Sequence, residues 1–418
     1  MKHLILKKEL LAYVEYERKQ GTIAIYDFLK DLPSSLKNDV NELLHDGIKM
    51  EDLHNRITRH IKDQHLLIMI LDEKSFPSRW IATTLSELLE ITGPELIVSN
   101  QDYLGFEVLL VHKNDPYLKD IVSMPLSAPF RASLMGLGDV GGTLLMGLRL
   151  LGKDTLSEIK IYDRNENKRR RYYLEINEIS DGEVMPPVIE ADLASIFQTD
   201  VFIFTVSAHI PPLGTTLTDV RMVQFEKNKE ILLDYVKQAE ESGFTGYYFI
   251  VSDPVDLLCM AVMNEGNIPS HRIRGFGLGV MEARARFIAK ENEIFKDDLR
   301  TFGPHGKGLV VINSLSSYND ELSLELTNLT EKENFRVRET GFKPYIAPAL
   351  SSGAISILKA LRGDEHLSTV YNGYVFMGSR TTLRGGFTLP SKVSLKELTP
   401  LLSDTQALLD SLYKASLG

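Results

Sequence analysis

The chain has 418 residues, which is more than a typical single domain contains and predicts more than one domain. Hydrophobic residues make up 43% and charged residues 25% of the sequence, as in ordinary globular proteins, so a disordered or low-complexity chain is excluded. The formal net charge of −10 disfavours nucleic acid as a partner, because phosphate binding needs a basic field.

Cysteine content and hydropathy indicate the cellular compartment of the protein. Cys259 is the single cysteine, which excludes an intrachain disulfide and a multi-cysteine zinc site. We expect it to be a small buried side chain and expect no bound metal. The N-terminal residues lack the apolar core of a signal peptide, and no apolar run is long enough for a membrane span. A cytoplasmic protein with no membrane partner is therefore predicted.

Residues 1–125 predict a small accessory domain, helical at first and then α/β. Apolar residues at helical spacing predict helices up to about residue 64. The elements expected next are a strand over His65–Leu71, a helix from about Ser78 to Glu90, and strands over 96–98 and 106–111. Two prolines in 124–129 indicate a linker. Recruitment of a protein partner, covering of a site and assembly all stay open as roles for this domain.

Strands and helices alternate after Phe130, which predicts a Rossmann-type, doubly wound parallel sheet over 130–277. The expected strands are Ala132–Gly136, Glu158–Tyr162, Asp200–Val206, Tyr247–Ser252 and Ile273–Phe276. The alternation weakens from about Leu278, so 278–418 predicts a mixed α+β domain for the substrate. Its expected elements are strands over Gly308–Ile312 and Ser323–Leu326 and a helix over Ala349–Arg362.

A glycine-rich turn follows the first of these strands and precedes a helix pattern over Thr143–Leu151. It reads Gly136, Leu137, Gly138, Asp139, Val140, Gly141. In a GxGxxG turn the first glycine permits the tight bend, the second lets the backbone approach a pyrophosphate, and the third allows close packing of helix and strand. The turn predicts dinucleotide binding; a turn that serves packing alone is the alternative.

An acidic residue ends the second strand, as dinucleotide recognition requires. Asp163 stands where a carboxylate accepts hydrogen bonds from the ribose hydroxyls. This favours NAD over NADP because the carboxylate would repel a 2′-phosphate. Arg164 follows directly, which leaves NADP open.

Several motifs then occur in a fixed order, and the ordered set resembles the lactate/malate dehydrogenase family from about Ala132 to the C-terminus. Beyond the glycine turn and Asp163 the motifs are Val201–Ala208, Val251–Asp256, Gly275–Gly277 leading to Ala283–Phe287, and Gly303–Gly306. The resemblance implies NAD as cofactor, a small-molecule 2-hydroxy or 2-oxo acid as substrate, and a homo-oligomer. It also implies that Ser207, Ala208 and Ser252 contact the cofactor.

The resemblance implies roles for three residues. His305 matches the family's catalytic acid/base, a task that suits imidazole because its pKa lies near neutral. Arg284 matches the arginine that grips the substrate carboxylate through a bidentate contact. Arg221, seven residues before Asn228, matches the arginine that a mobile loop brings to polarise the carbonyl. A loop histidine and surface arginines without a role are the alternatives.

The sequence departs from the family at the partner of this histidine. Three residues before Arg284, where the family has an aspartate, stands Met281, which cannot orient an imidazole. Glu282 is adjacent, but on a helix it points about 100° away. Asp253 replaces the family's asparagine; it disfavours an anionic substrate if ionised, or serves as a substitute partner for His305, or binds an amine.

The substrate loop departs as well. Residues 208–217 contain no arginine for a second carboxylate, which disfavours a plain dicarboxylate and favours a bulkier or less charged substrate. His209 replaces the family's glycine beside the dinucleotide, and it is either a site residue or only a loop substitution. We therefore expect an NAD-dependent oxidoreductase that interconverts a hydroxyl and a carbonyl on a substrate other than plain lactate or malate. The alternative is a catalytically altered NAD(H)-binding protein that acts as a sensor or scaffold. An NAD-dependent glycosidase fits less well, because Cys259 is not placed for that group's metal site.

Overall fold

The chain forms two compact units, Met1–Leu126 with Arg384–Leu389, and Ser127–Leu383 with Pro390–Gly418. The computed structural model describes residues 3–6, 67–71, 79–84, 103–112, 129–208, 220–384, 387–391, 393 and 395–417.

The first unit contains a four-stranded sheet. Its strands are β1 (His3–Leu6), β2 (Leu67–Leu71), β3 (Arg79–Thr84) and β4 (Tyr103–His112), in the order β1-β2-β4-β3. β2 is parallel to β1 and β4, whereas β3 is antiparallel to β4. Strands over 65–71 and 106–111 were predicted, and β2 and β4 confirm them.

Two helix predictions in this unit are wrong. His3–Leu6 is a strand because it pairs in parallel with β2, although residues 1–64 predicted helices. Arg79–Thr84 is a strand although a helix was predicted from Ser78. Its sequence contains Trp80, Ile81 and threonines, types that favour a pleated backbone, and its pairing with β4 outweighs the helical spacing. The other elements predicted in 1–125, including the strand 96–98, lie outside the described residues.

The second unit is built on a large sheet whose central part is parallel. The parallel strands are β5 (Phe130–Met135), β6 (Leu156–Tyr162), β7 (Val188–Glu190), β8 (Val201–Phe204), β9 (Tyr247–Ile250) and β10 (Ile273–Gly275). Their order is β7-β6-β5-β8-β9-β10. This is the doubly wound order, and it places a ligand crevice beyond the carboxyl ends of β5 and β8. The predicted Rossmann-type fold is confirmed.

Helices connect these strands. They are α1 (Asp139–Leu151), α2 (Glu166–Asn177), α3 (Val220–Glu241), α4 (Val255–Asn264) and α5 (Leu278–Glu291), with a 3-10 turn at Ser270–Arg272. The N-cap of α2 is Asn165, whose side chain accepts a hydrogen bond from the Lys168 N–H at 3.0 Å. This bond satisfies one of the free N–H groups of the first turn.

The rest of the second unit mixes helices with antiparallel strands. Its elements are β11 (Arg300–Phe302), β12 (Val310–Ile312), α6 (Asp320–Glu339), a π-helical segment (Pro348–Ile355), α7 (Ser356–Arg362), β13 (His366–Tyr371), β14 (Phe376–Arg384) and, after β15 (Phe387–Pro390), which belongs mostly to the first unit, α8 (Leu398–Ala415). β13 extends the large sheet antiparallel to β10. The mixed α+β expectation for this part is confirmed.

One predicted strand of this part is wrong, since Ser323–Leu326 lies inside α6. Asn319 caps the helix by accepting from the Leu322 N–H at 2.8 Å, and Asp320 and Glu321 complement the positive end of the helix dipole. These signals outweigh the short alternation of apolar and polar residues. The helix predicted over 349–362 exists, but its first half is π-helical.

The central strands are buried on both faces, as a parallel sheet covered by helices requires. Phe202, Phe204, Tyr248 and Ile250 are fully buried. Cys259 is also buried, as expected from its apolar run. In the part of the chain that the structure describes, no helix is both long and apolar enough to cross a membrane.

Candidate active site

The glycine turn lies at the carboxyl end of β5, as predicted. Gly136 has φ +98°, and a Cβ there would come within 3.1 Å of the Val206 backbone nitrogen. A Cβ on Gly141 would collide with the Gly136 carbonyl oxygen. Gly138 is the N-cap of α1, and among the described residues no atom outside its immediate chain neighbours lies within 4 Å of where its Cβ would be. The turn is therefore closely packed against the protein at Gly136 and Gly141, whereas Gly138 has space for a ligand beside it.

Asp163 is fixed beside this turn. Its Oδ2 accepts a hydrogen bond from the Leu137 N–H at 2.9 Å and lies 3.4 Å from Lys168 Nζ, and its Oδ1 accepts from the Asn165 N–H at 2.9 Å. These contacts join the end of β6 to the turn after β5. Arg164 is exposed and lies at the same opening.

One cavity of about 960 Å³ in the second unit contacts most of the predicted site. Its wall includes these predicted cofactor contacts: Gly136, Leu137, Gly138, Asp139, Val140, Asp163, Arg164, Ser207, Ala208 and Ser252. It also includes three predicted catalytic residues, Asp253, Arg284 and His305. Gly141 is not part of this wall; it packs behind the turn, against Gly136 and Thr205.

His305 faces Asp253 across this cavity. The His305 Nδ1 and Asp253 Oδ1 atoms are 3.6 Å apart, and the Asp253 side chain is 52% exposed. Of the alternatives for Asp253, this geometry favours a partner for the imidazole. A carboxylate at Nδ1 stabilises the protonated ring.

A buried amide holds the backbone of Asp253 in place. The Asn228 side chain donates from Nδ2 to the Asp253 carbonyl oxygen and accepts at Oδ1 from the Ala208 N–H, both at 2.7 Å. Asn228 is fully buried on α3. It therefore fixes the ends of β8 and β9 relative to each other. In the sequence, Asn228 was used only to locate Arg221. The signal that could have identified Asn228 itself is a polar residue on an apolar face of a helix.

A second carboxylate lies beneath the histidine loop. Asp256 is buried, accepts from Thr369 Oγ1 at 3.0 Å, and forms a hydrogen bond with the backbone of His305. Burial raises the pKa of Asp256 to about 7, with a smaller contribution from the charge of Asp253; its hydrogen bonds oppose the rise. Sequence reasoning named Asp256 within its motif but gave it no role.

Arg284 reaches the cavity from α5. Its Nη1 lies 3.5 Å from Met281 Sδ, and burial lowers its pKa, while the charges of Glu333 and Asp253 act in the opposite direction. Met281 is buried among apolar side chains. An aspartate partner for His305 is therefore absent from this position of α5.

The side chain of Glu282 contacts residues other than His305. Its Oε1 lies 3.1 Å from Arg286 Nε and 2.5 Å from Arg380 Nη2, and its Oε2 accepts from Thr301 Oγ1 at 3.3 Å. The helix direction predicted that Glu282 points away, and these contacts agree with that prediction. It stabilises the packing of α5 on its neighbouring strands.

The structure does not test the predictions for His209 and Arg221. Residues 209–219, including His209, are not among the described residues. The backbone of Arg221 lies in the first turn of α3, and its side chain is outside the described part. Its role stays a prediction.

α6 and the segment after it complete the cavity wall, which sequence reasoning missed. Asn334 and Arg338 of α6 line the cavity, and so do residues 341–345. Lys343 Nζ lies 3.1 Å from Asp139 Oδ2, at the start of α1. No motif signalled these contacts, because they arise only when α6 packs beside the sheet.

Known proteins resemble the chain over the same region. A family model described as the NAD-binding domain of lactate/malate dehydrogenase matches residues 130–275. L-lactate dehydrogenase 2 of Peribacillus psychrosaccharolyticus is 25% identical over 304 residues, which cover 66% of this chain and 91% of that relative. Residues 130–275 therefore form an NAD-binding domain of the lactate/malate dehydrogenase type. L-lactate dehydrogenase of Staphylococcus haemolyticus is also 25% identical, over 58% of this chain and 79% of that relative.

Solved structures of the family share the fold. Malate dehydrogenase from Archaeoglobus fulgidus in complex with NADH aligns with a TM-score of 0.60 at 18% identity, over 69% of this chain and 100% of that chain. Lactate dehydrogenase from Cryptosporidium parvum, complexed with lactic acid and NAD, aligns with a TM-score of 0.58 at 21% identity, over 69% and 98%.

The residues around the glycine turn fit NAD as the cofactor. The open space at Gly138 gives a pyrophosphate access to the free N–H groups at the start of α1. The carboxylate of Asp163, fixed at the end of β6, is placed for ribose hydroxyls. The predicted cofactor is therefore confirmed at the level of the family.

Proposed function

We propose that this protein is an NAD-dependent oxidoreductase that interconverts a hydroxyl and a carbonyl on a 2-hydroxy/2-oxo acid-like substrate other than plain lactate or malate. One observation carries the proposal: His305 and Asp253 pair at 3.6 Å in the cavity that also contains Arg284 and the glycine turn. An acid/base, an anion anchor and a dinucleotide turn are the parts that this reaction needs.

Each side chain has a distinct task. Arg284 binds the substrate carboxylate, and its burial strengthens that contact because water competes less. NADH, held by the glycine turn and Asp163, would supply the hydride for the reduction. His305 donates a proton to the carbonyl oxygen during reduction and removes it from the hydroxyl during oxidation. Asp253 stabilises the imidazolium, so that the pair is neutral beside an anionic substrate when His305 is protonated.

A His305→Asn variant tests the proposal. Asparagine keeps a polar side chain of moderate size but cannot transfer the proton, so turnover of a 2-oxo acid should fall by at least about 100-fold. Binding of NADH, followed by its fluorescence, should stay unchanged because the dinucleotide turn is untouched. Lys332→Gln, an exposed change on α6 outside the cavity wall, is the control. Unchanged turnover in His305→Asn would remove the assignment.

A second candidate has its own observation. Met281 occupies the place of the family's aspartate and is buried against apolar side chains. A protein that binds NAD(H) without hydride transfer, as a sensor or scaffold for residues 1–125, would tolerate this change. Such a protein would bind NADH normally and show no turnover with any 2-oxo acid, and it would be indifferent to His305→Asn.

A further inference from the structure

A lysine in the segment after α6 reaches the helix that follows the glycine turn. Lys343 Nζ lies 3.1 Å from Asp139 Oδ2, and both residues contribute to the cavity wall. Asp139 is the first residue of α1 and directly follows Gly138. The ion pair therefore joins the glycine turn to residues 341–345. Neither the predicted cofactor contacts nor the proposed chemistry gives Lys343 a task.

The backbone around Lys343 is constrained, whereas its side chain is open. Gly341 has φ +87°, a left-handed conformation that ends α6 and turns the chain away from it. The Tyr345 N–H donates to the Lys343 carbonyl oxygen at 3.1 Å, across Pro344, whose ring restricts φ. The Lys343 side chain is 82% exposed. An ammonium has three N–H donors, and in the described part of the chain one of them is directed at Asp139, which leaves two for a ligand.

Asp139 places a negative charge where a pyrophosphate is expected. The first hydrogen bond within α1 runs from the Gly142 N–H to the Gly138 carbonyl oxygen at 2.8 Å, so the N–H groups of residues 139–141 precede it and are available to an anion. The carboxylate of Asp139 lies at this same end of the helix and repels such an anion. A cation beside Asp139 offsets this repulsion, and among the described ion pairs Lys343 is its partner.

We infer that Lys343 binds the pyrophosphate of NAD(H), and that Asp139 holds its ammonium at the glycine turn. The ammonium is compact and carries several donors, so it can keep its contact with Asp139 and donate to a phosphate oxygen at the same time. The segment after α6 thereby becomes part of a cofactor site that is otherwise built from residues 130–277. The inference concerns cofactor binding alone, so it goes beyond the proposed function and does not require turnover.

Lys343→Gln tests the contact with two ligands. Glutamine keeps a polar side chain but removes the charge, and the melting temperature should stay unchanged because the side chain is exposed. The full chain is titrated with NADH by fluorescence and with ADP-ribose by calorimetry; ADP-ribose has the same pyrophosphate but no nicotinamide. We expect both ligands to bind at least about 10-fold more weakly, by a similar factor, as the loss of one charge-assisted hydrogen bond gives. Lys332→Gln, an exposed lysine of α6 outside the cavity wall, should bind both as the wild type does.

A double variant separates the contact from simple neutralisation of Asp139. Once Lys343 is replaced, the Asp139 carboxylate faces the phosphates without its cation. Adding Asp139→Asn to Lys343→Gln removes that repulsion and should recover part of the lost affinity for both ligands. The double variant should still bind them more weakly than the wild type, because the donor to the phosphate is missing.

The other outcomes overturn the inference. Unchanged or tighter binding in Lys343→Gln, or no binding of either ligand to the wild type, would show that the ammonium does not hold the cofactor. Weaker NADH with unchanged ADP-ribose would place Lys343 at the nicotinamide end. Wild-type affinity in the double variant would show that Lys343 only neutralises Asp139, and no recovery at all would show that this carboxylate does not face the phosphates. The expected losses in a protein without turnover would keep the inference and remove the proposed oxidoreductase, so the two failures are separable.

Discussion

His305 Nδ1 lies 3.6 Å from Asp253 Oδ1, so the acid beside the imidazole comes from the loop after β9 and not from α5. On α5 the corresponding place is taken by Met281, which is 1% exposed. The carboxylate beside the imidazole is therefore supplied by a different element from the one that the family resemblance implies.

The variant Asp253→Asn should show whether the negative charge of this side chain, and not only its shape, is needed for kcat. The amide keeps the size of the side chain and its backbone bond to Asn228, but it cannot stabilise an imidazolium. We expect kcat to fall by about 100-fold or more, with an unchanged Kd for NADH. Asp181→Asn, an exposed change outside the cavity wall, is the matched control and should leave kcat as it is. Wild-type kcat in Asp253→Asn would show that the pair has no catalytic role.

Two glycine variants should separate cofactor binding from folding. Gly138→Ala places its Cβ in open space, so the protein should stay as stable as the wild type, while NADH should bind at least about 10-fold more weakly because the pyrophosphate needs that space. Gly141→Ala would push its Cβ against the Gly136 carbonyl oxygen and should lower the melting temperature as well. Thermal melts and NADH titrations of both variants check this. Normal NADH affinity in Gly138→Ala would contradict the assigned pyrophosphate position.

Asp256 should make stability depend on pH. Its pKa in the folded chain, about 7, lies above the usual value, so the folded state holds a proton that the unfolded state has lost between about pH 4 and 7. Its contribution therefore makes the free energy of unfolding decrease as pH rises through that range, by at most about 4 kcal/mol. Asp256→Asn keeps an acceptor for Thr369 and should lose this decrease.

Urea unfolding at pH 5 and pH 8 measures the effect. The wild type should lose more of its unfolding free energy between these values than Asp256→Asn does, because only the wild type must ionise a buried carboxyl. The same pH dependence in both proteins would show that the pKa of Asp256 is not raised.

Glu282 should matter for stability and not for proton transfer. Glu282→Gln leaves Arg286 and Arg380 without their shared carboxylate, and breaking such a buried pair costs about 3 kcal/mol. At a temperature where the variant is folded, kcat should stay within about twofold of the wild type, because Asp253 and not Glu282 accompanies the histidine. A folded Glu282→Gln protein with kcat reduced as far as in Asp253→Asn would contradict this.

The sequence allowed most of the nucleotide-binding architecture to be predicted, because each part of it is local. The strand, the glycine turn and the following helix are consecutive, and Asp163 ends the next strand, where the carboxyl ends of parallel strands meet. His305 and Arg284 could be singled out by motif order. Their joint presence in one cavity is a property of the fold.

Contacts between distant segments could not be predicted in the same way. Asp253 and His305 are far apart in sequence, so periodicity gives no distance between them. Asn334 and Arg338 lie on a helix that was read in part as a strand over Ser323–Leu326, which hid their common face. The raised pKa of Asp256 depends on desolvation by its packed neighbours, and a single sequence does not show that burial.

Transfer of deuterium from NADH deuterated at its reactive carbon is the most direct test of hydride transfer by this protein. The purified full chain is incubated with this cofactor and a panel of 2-oxo acids that includes 2-oxoglutarate, and the products are examined by NMR. We expect a 2-hydroxy acid with deuterium on the former carbonyl carbon, and no such product with His305→Asn. NADH binding without a deuterated product from any acid of the panel would contradict it and identify a binding protein instead.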